Sequence, residues 1–127
     1  MRLILVRHAE AAPGKPDALR PLTPRGHAAA EQLGEQLAAG RPDAVLTSPL
    51  LRARQTAEAI ATAAELEAEA DERLAPGATV DDVRAAVSGR GDTVVVVGHV
   101  PDCVEIVLAL TGREVRFPPG GTAEVEL

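Results

Sequence analysis

The feature that most constrains the fold is an alternation of short apolar runs with longer segments of helical character. Two of the runs, Leu3–Val6 and Thr93–Val97, are almost entirely aliphatic, which is typical of strands buried on both faces. Short buried strands that alternate with helices form βαβ units and a parallel sheet. The sequence therefore predicts an α/β fold, namely a three-layer α/β/α sandwich with a mostly parallel central sheet.

Capping residues, glycines and prolines place the remaining elements. Thr23-Pro24 predicts the start of a helix that runs to about Ala39, and Gly40 predicts its end. Ser48-Pro49 is interpreted in the same way, with Ser48 as the N-cap. The other predicted elements are a loop over 11–24, a strand over Asp43–Thr47, a helix from 48 to about Glu65, a weak strand near Glu67–Ala70, helices over Thr79–Ser88 and Pro101–Leu110, and an edge strand over Thr122–Leu127.

Size and composition limit the possible functions. The length of 127 residues predicts one domain, residues 1–127. Phe117 is the only aromatic residue and the net charge is −6, so neither stacked bases nor a phosphate backbone finds a suitable surface, and we expect no nucleic-acid partner. The apolar run Leu3–Val6 is far too short for a membrane span, so we expect no membrane association. Cys103 is the only cysteine, which rules out a disulfide framework and favours a cytoplasmic location.

Polar residues suited to phosphate chemistry follow three of the predicted strands. Arg7 and His8 follow the first strand, Ser48 and Arg52 follow the second, and His99 follows the strand at 93–97. Ligand sites of open parallel sheets lie beyond the carboxyl ends of the strands, so we expect these residues in one pocket. Guanidinium groups hold phosphoryl oxygens and a neutral imidazole is a nucleophile. The arrangement predicts a phosphoryl-transfer site.

Three segments resemble, in the same order, the motifs of the histidine phosphatase (phosphoglycerate mutase-like) superfamily. Arg7-His8-Ala9-Glu10 is similar to its Arg-His-Gly signature, residues 48–57 to its second arginine motif, and residues 97–102 to its second-histidine motif. The resemblance spans residues 3–112. The short chain and the segment Arg20-Pro21-Leu22-Thr23 resemble the small SixA-like branch, whose better-known members are phosphohistidine phosphatases.

The resemblance implies a role for each motif residue. His8 would be the nucleophile that becomes phosphorylated, Arg7 and Arg52 would hold the phosphoryl oxygens, and His99 would donate to the same oxygens. The implied activity is a phosphatase that needs no metal and no other cofactor, acting on phosphohistidine of a protein or on a small phosphomonoester. Two alternatives stay open: a phosphoglycerate mutase-type phosphotransferase and a non-catalytic phosphate-binding module.

The chain departs from the family pattern at two places. Ala9 replaces the glycine that usually follows the nucleophilic histidine. Many larger members also carry a carboxylic acid that protonates the leaving group, and no residue here matches it clearly. Glu10, Glu72 and Asp102 are all conceivable, and the acid is otherwise missing.

Several other polar residues have structural interpretations. Arg54 lies two residues from Arg52, about 200° around a helix, so only one of the two can face a pocket, and the motif selects Arg52. We expect His27 on the surface of its helix and Cys103 as a small buried thiol. The three histidines lack helical i, i+4 spacing, so no zinc site is predicted.

Overall fold

A five-stranded sheet runs through the centre of the protein, whose computed structural model describes residues 1–127. Side by side, its strands are β3 (Ala68–Ala70), β2 (Ala44–Thr47), β4 (Thr93–Gly98), β1 (Arg2–Arg7) and β5 (Thr122–Glu126). Every pairing is parallel except that of β1 with β5. The predicted mostly parallel sheet, with 122–127 as an edge strand, is confirmed.

Four helices cover the two faces of the sheet. They are α1 (Pro24–Ala38), α2 (Leu51–Ala63), α3 (Val80–Val87) and α4 (Asp102–Thr111), with 3₁₀ turns at Asp17–Leu19 and Glu72–Leu74. Residues of α1 and α2 pack with one set of strand side chains, and residues of α3 and α4 pack with the alternate set. This three-layer arrangement is the predicted α/β/α sandwich. No helix of the chain combines the length and the apolar character needed to cross a membrane.

The central strands are buried because their side chains are aliphatic on both faces. In β1, Leu3 and Leu5 point into the layer of α3 and α4, whereas Ile4 and Val6 point into the layer of α1 and α2. The valines of β4 alternate in the same way, and β-branched residues suit this pleated, doubly covered surface. The resulting core orients β1 and β4 rigidly, so the residues that follow them are held in fixed positions.

The second predicted helix begins later than expected. Helix α2 starts at Leu51, and its N-cap position is Leu50, which makes no side-chain capping bond. Ser48 is instead fully buried and extends the strand, since its N–H donates to the carbonyl of Val97 at 3.0 Å. The prediction that Ser48 caps this helix is therefore wrong. Its hydroxyl oxygen accepts from the N–H of Leu50 at 3.2 Å, before the helix begins.

Helix α1 packs directly against the chain that follows β1. Thr23 caps the helix as predicted, because its hydroxyl accepts from the N–H of Gly26 at 3.0 Å. Gly26 then lies so close to the backbone of Glu10 that a Cβ at this position would overlap the Glu10 carbonyl oxygen. The N–H of Thr23 also donates to that oxygen at 3.0 Å. These contacts tie the segment after His8 to the start of α1.

Gly26→Ala tests this close approach. Alanine is ordinarily the better helix former, but here its methyl group would meet backbone that cannot move aside easily. We expect the substitution to lower the free energy of unfolding by about 1–3 kcal/mol, measured by urea denaturation. The matched control is the exposed Ala28 of the same helix, where Ala28→Gly should destabilise by about 0.5–1 kcal/mol. Stabilisation by Gly26→Ala would contradict the packing described.

Candidate active site

A pocket of about 310 Å³ opens where β1, β4 and β2 end. These strands are neighbours in the sheet, so the residues that follow them converge, in keeping with the general rule for parallel sheets. The lining residues are Arg7, His8, Asp17, Arg20, Arg52, Pro76, His99 and Val100. The structure thus brings together Arg7, His8, Arg52 and His99, the four residues selected from the sequence.

His8 lies directly beyond β1, and its ring is fixed by the backbone. Its Nδ1 lies 2.8 Å from the carbonyl oxygen of Ala9, which can only accept, so Nδ1 carries the proton and donates. Burial lowers the pKa of His8 below its usual 6.5, and the guanidinium groups of Arg52 and Arg7 lower it further. The ring is therefore neutral at neutral pH, and Nε2 keeps a free lone pair. That is the state a nucleophilic imidazole needs.

The backbone around His8 tolerates the departure at Ala9. The side chain of Ala9 is buried with Leu22 and Ala30, so its methyl group contributes to a small apolar cluster. The N–H of Ala9 donates to the hydroxyl of Thr56 at 3.0 Å, which ties this segment to α2. Ala9 has no positive φ angle, so no glycine is required here.

Arg52 reaches the pocket from the first turn of α2. Its side chain is almost fully buried, and Nη1 and Nη2 donate to the backbone and side-chain oxygens of Asp17 at 2.9 and 3.2 Å. Arg54 is exposed on the other side of the same helix. The structure therefore places Arg52, and not Arg54, at the pocket.

Arg7 contributes a second guanidinium group with unused donors. Its Nη1 donates to the carbonyl of Phe117 at 3.0 Å. Its Nε is buried and has no hydrogen-bond partner in the protein. A buried donor without an acceptor costs about 1–3 kcal/mol, and a charged donor costs more. An oxyanion bound in the pocket beside Arg7 would compensate the charge of this guanidinium group.

His99 faces His8 across the pocket. The ring centroids are 5.3 Å apart and the planes are tilted by 57°. Burial lowers the pKa of His99 to about 4, and the neighbouring His8 and Arg52 add to this effect. His99 is therefore neutral at neutral pH. Its Nε2 lies 2.7 Å from the hydroxyl oxygen of Ser48, the residue that the sequence analysis assigned to helix capping.

Asp17 and Arg20 also line the pocket, although neither residue was predicted from the sequence to belong to the site. Asp17 accepts from Arg52 and also from Nη1 of Arg20, at 3.0 Å. These two hydrogen bonds hold the pKa of the Asp17 carboxyl below its usual 3.8. The sequence held two signals for this segment, the resemblance of residues 20–23 to the SixA-like branch and the i, i+3 spacing of Asp17 and Arg20, but neither connects Asp17 to Arg52.

None of the three acids considered as a proton donor lines the pocket. Glu10 is exposed and its carboxylate accepts from the hydroxyl of Thr23 at 2.8 Å. Glu72 is exposed in a 3₁₀ turn, and the buried carboxylate of Asp102 accepts from the N–H of Gly77 at 2.9 Å. Asp17 is the only carboxylate among the lining residues, and it is ionised. The pocket therefore offers no carboxylic acid at neutral pH.

The remaining polar residues lie elsewhere. His27 is exposed on α1. Burial raises the pKa of Cys103 to about 12, so this residue is an inert thiol. No group of three or more His, Cys, Asp and Glu side chains is arranged to hold a metal ion.

Known proteins share both the sequence pattern and this fold. The sequence model of the histidine phosphatase superfamily (branch 1) matches residues 3–76. The protein histidine phosphatase SixA, solved with tungstate, is 30% identical, with a TM-score of 0.88 over 100% of this chain and 88% of that chain. A SixA protein from Agrobacterium tumefaciens is 28% identical, with a TM-score of 0.82 over 97% and 89% of the two chains. YhfR of Bacillus stearothermophilus shares the fold at 22% identity and a TM-score of 0.76, over 99% and 91%. No curated protein sequence matches the chain.

Substitution of the two nearby arginines tests which one faces the pocket. Arg52→Ala should weaken the binding of tungstate or inorganic phosphate roughly 10- to 100-fold, since a hydrogen bond to a charged group contributes about 1.5–3 kcal/mol. Arg54→Ala, the matched control on the exposed face, should leave binding unchanged. Isothermal titration calorimetry of the three proteins measures both effects. A larger loss for Arg54→Ala would show that the orientation of α2 is wrong.

Proposed function

The chain belongs to the histidine phosphatase superfamily, and on this premise we propose how its residues remove a phosphoryl group. Phosphatase activity itself follows from the family match and from the likeness to SixA phosphohistidine phosphatases. We propose a catalytic role for each of four residues, His8, Arg7, Arg52 and His99. We also propose which class of phosphorylated compound is the substrate.

The proposed reaction has two displacement steps at phosphorus. Nε2 of His8 attacks, the bond from phosphorus to the leaving group breaks, and a phosphohistidine forms on His8. A water molecule then attacks this phosphorus, so that His8 regains its lone pair and inorganic phosphate is released. Arg7, Arg52 and His99 hold the phosphoryl oxygens in both steps, and donors arranged in advance stabilise the charge of the transition state. These donors supply the positive character needed, so the reaction requires no metal ion.

The pocket holds no carboxylic acid, and this observation most limits the range of possible substrates. Asp17 is kept ionised by Arg20 and Arg52, so a leaving group has no carboxyl proton to take. An alkoxide leaves poorly without a proton. The imidazole of phosphohistidine can be protonated before it reacts and then departs as a neutral ring. We therefore favour phosphohistidine as the substrate.

The surroundings of the pocket suit a phosphohistidine carried by a protein. The side chain of Asp17 is 64% exposed, so the pocket is open to solvent on this side. Two apolar side chains are exposed at its margin, Leu19 in the same 3₁₀ turn and Val100 in the pocket wall. A protein substrate could bury these two apolar side chains when it binds, and burial of apolar surface would favour the complex. A mutase, which must exclude water from its phosphoenzyme, is less compatible with this opening.

The proposal treats residues 1–127 as one histidine phosphatase domain in the cytoplasm. All five strands belong to one sheet, and both core layers pack on it. The lone, buried thiol of Cys103 is compatible with a reducing compartment.

His8→Ala should abolish turnover while the protein remains folded, because the side chain lines the pocket and is not part of the core. His27→Ala is the matched control, since His27 is exposed, and it should keep wild-type activity. Wild-type protein quenched with a labelled substrate should carry an acid-labile, base-stable phosphate on His8. Assays in the presence of a chelator should give full activity. Label on Ser48, or turnover by His8→Ala, would disprove the nucleophile assignment.

The missing acid predicts a steep dependence on the leaving group. Values of kcat/KM should be about 10²- to 10⁴-fold lower for alkyl phosphates than for aryl phosphates or phosphohistidine, which is the usual contribution of a general acid. The measurement is a series of phosphates graded by leaving-group pKa, with a phosphohistidine protein included. Asp17→Asn should change kcat/KM by a similar factor for all substrates in the series. A flat dependence would show that an acid is present, and substitution of Glu10, Glu72 and Asp102 would then locate it.

A further inference from the structure

Ser48 is the one buried hydroxyl that touches a pocket histidine, and the mechanism above gives it no task. It lies at the end of β2 with no exposed surface. Its N–H donates to Val97, and its carbonyl accepts from the hydroxyl of Thr47 at 3.0 Å. The backbone of Ser48 is thus fixed on both sides. Only the orientation of its hydroxyl proton is left to be settled by its neighbours.

Two groups contact the Ser48 hydroxyl oxygen, and they differ in whether they can donate or accept a hydrogen bond. The N–H of Leu50 lies 3.2 Å away and can only donate, so the oxygen accepts there. Nε2 of His99 lies 2.7 Å away and can either donate or accept, depending on the tautomer. The hydroxyl proton has no other acceptor within reach. If Nε2 also donated to Ser48, a fully buried O–H would remain unsatisfied, at a cost of about 1–3 kcal/mol.

Every polar atom in these contacts is satisfied in only one arrangement of the hydrogen bonds, the one in which the Ser48 hydroxyl donates to Nε2 of His99. A neutral imidazole carries a single proton, so that proton must then be on Nδ1. Nδ1 has no hydrogen-bond partner in the protein, and the His99 ring lines the pocket. It is the only nitrogen of this ring that remains free to contact a bound group.

We propose that Ser48 is a positioning residue that fixes His99 as the Nδ1–H tautomer, so that a neutral His99 donates a hydrogen bond to a phosphoryl oxygen. The opposite tautomer would present a lone pair to an anionic oxygen and would repel it. The inference rests on the proposed function only in naming the bound group a phosphoryl group. The tautomer itself is a property of the free protein.

The proposal also makes the two pocket histidines complementary. The carbonyl of Ala9 fixes the proton of His8 on Nδ1 and leaves Nε2 as a lone pair for attack. The hydroxyl of Ser48 fixes the proton of His99 on Nδ1 and leaves it as a donor. One neutral ring therefore provides the nucleophile and the other provides a hydrogen bond. Neither assignment requires a charged imidazole.

Long-range ¹H–¹⁵N NMR spectra of histidine-labelled free protein test the inference directly, because protonated and unprotonated ring nitrogens have well-separated ¹⁵N shifts. In the wild-type protein, His99 should show a protonated Nδ1 and an unprotonated Nε2. Ser48→Ala removes the hydroxyl that donates to Nε2, so the preference for Nδ1–H should weaken and the Nε2–H tautomer should become measurably populated. The matched control is Thr47→Val, which removes the neighbouring buried hydroxyl without touching His99 and should leave its tautomer unchanged.

Kinetics supply the second measurement. Ser48→Ala should lower kcat on the order of 10- to 100-fold, by analogy with groups that orient metal-binding histidines, with a smaller effect on KM. Ser48→Thr, which retains the hydroxyl, should restore both the tautomer and most of the activity. If the added methyl group prevents folding, Ser48→Cys should give an intermediate tautomer ratio, because its S–H is a weak donor.

The outcomes separate this inference from the proposed function. A wild-type Nε2–H tautomer, an unchanged tautomer in Ser48→Ala, or a loss of activity without a change of tautomer would each overturn the role of Ser48. The expected tautomer shift in a protein without phosphatase activity would support the role of Ser48 and refute the proposed function.

Discussion

The parallel pairing of β1 with β4 is the constraint on which the site depends. In this register Arg7 lies opposite Gly98, so the next residue of each strand is a histidine, and the N–H of His8 donates to the carbonyl of Gly98 at 3.1 Å. A slip of one residue would move Leu3 and Leu5 into the layer of α1 and α2, and Ile4 and Val6 into the layer of α3 and α4, so the close packing of both layers would be lost. The 5.3 Å separation of the two rings is therefore set by the packing of valines and leucines, far from any polar contact.

The electrostatics of the pocket contrast with those of the whole chain. The protein carries a net charge of −6, yet three arginines and only one aspartate line the pocket, beside two neutral histidines. This local excess of positive charge suits a dianionic phosphoryl group. A concave site of one sign in a protein of the other sign concentrates its ligand locally. The fold thus creates a positively charged pocket for an anionic ligand, which the net charge of the chain would not predict.

What could be predicted from the sequence depended on how far apart the interacting residues lie. The strands and the edge position of 122–127 follow from short-range periodicity, which the sequence displays directly. Periodicity also showed that only one of Arg52 and Arg54 can face the pocket, and the resemblance to the family motif selected Arg52. The same reasoning failed for Ser48, because a Ser-Pro pair resembles a helix start while its true partner, His99, is 51 residues away. Asp17 was missed for a similar reason, since Arg52 is 35 residues away in sequence. Patterns among neighbouring residues predict the helices and strands. The hydrogen-bond partner of each polar side chain depends instead on contacts between elements that are distant in the sequence.

The carboxylate of Asp17 has a consequence for the release of inorganic phosphate in the proposed reaction. Arg52 already has a partner in the resting protein, so an oxyanion that displaces Asp17 would gain less net affinity than its new hydrogen bonds alone provide. Tight binding of the ground state does not accelerate the chemical step. The same exchange runs in reverse after hydrolysis, when Asp17 can reclaim the guanidinium group as free phosphate departs. In the proposed mechanism the aspartate would therefore compete with phosphate for Arg52 and would limit inhibition by the product.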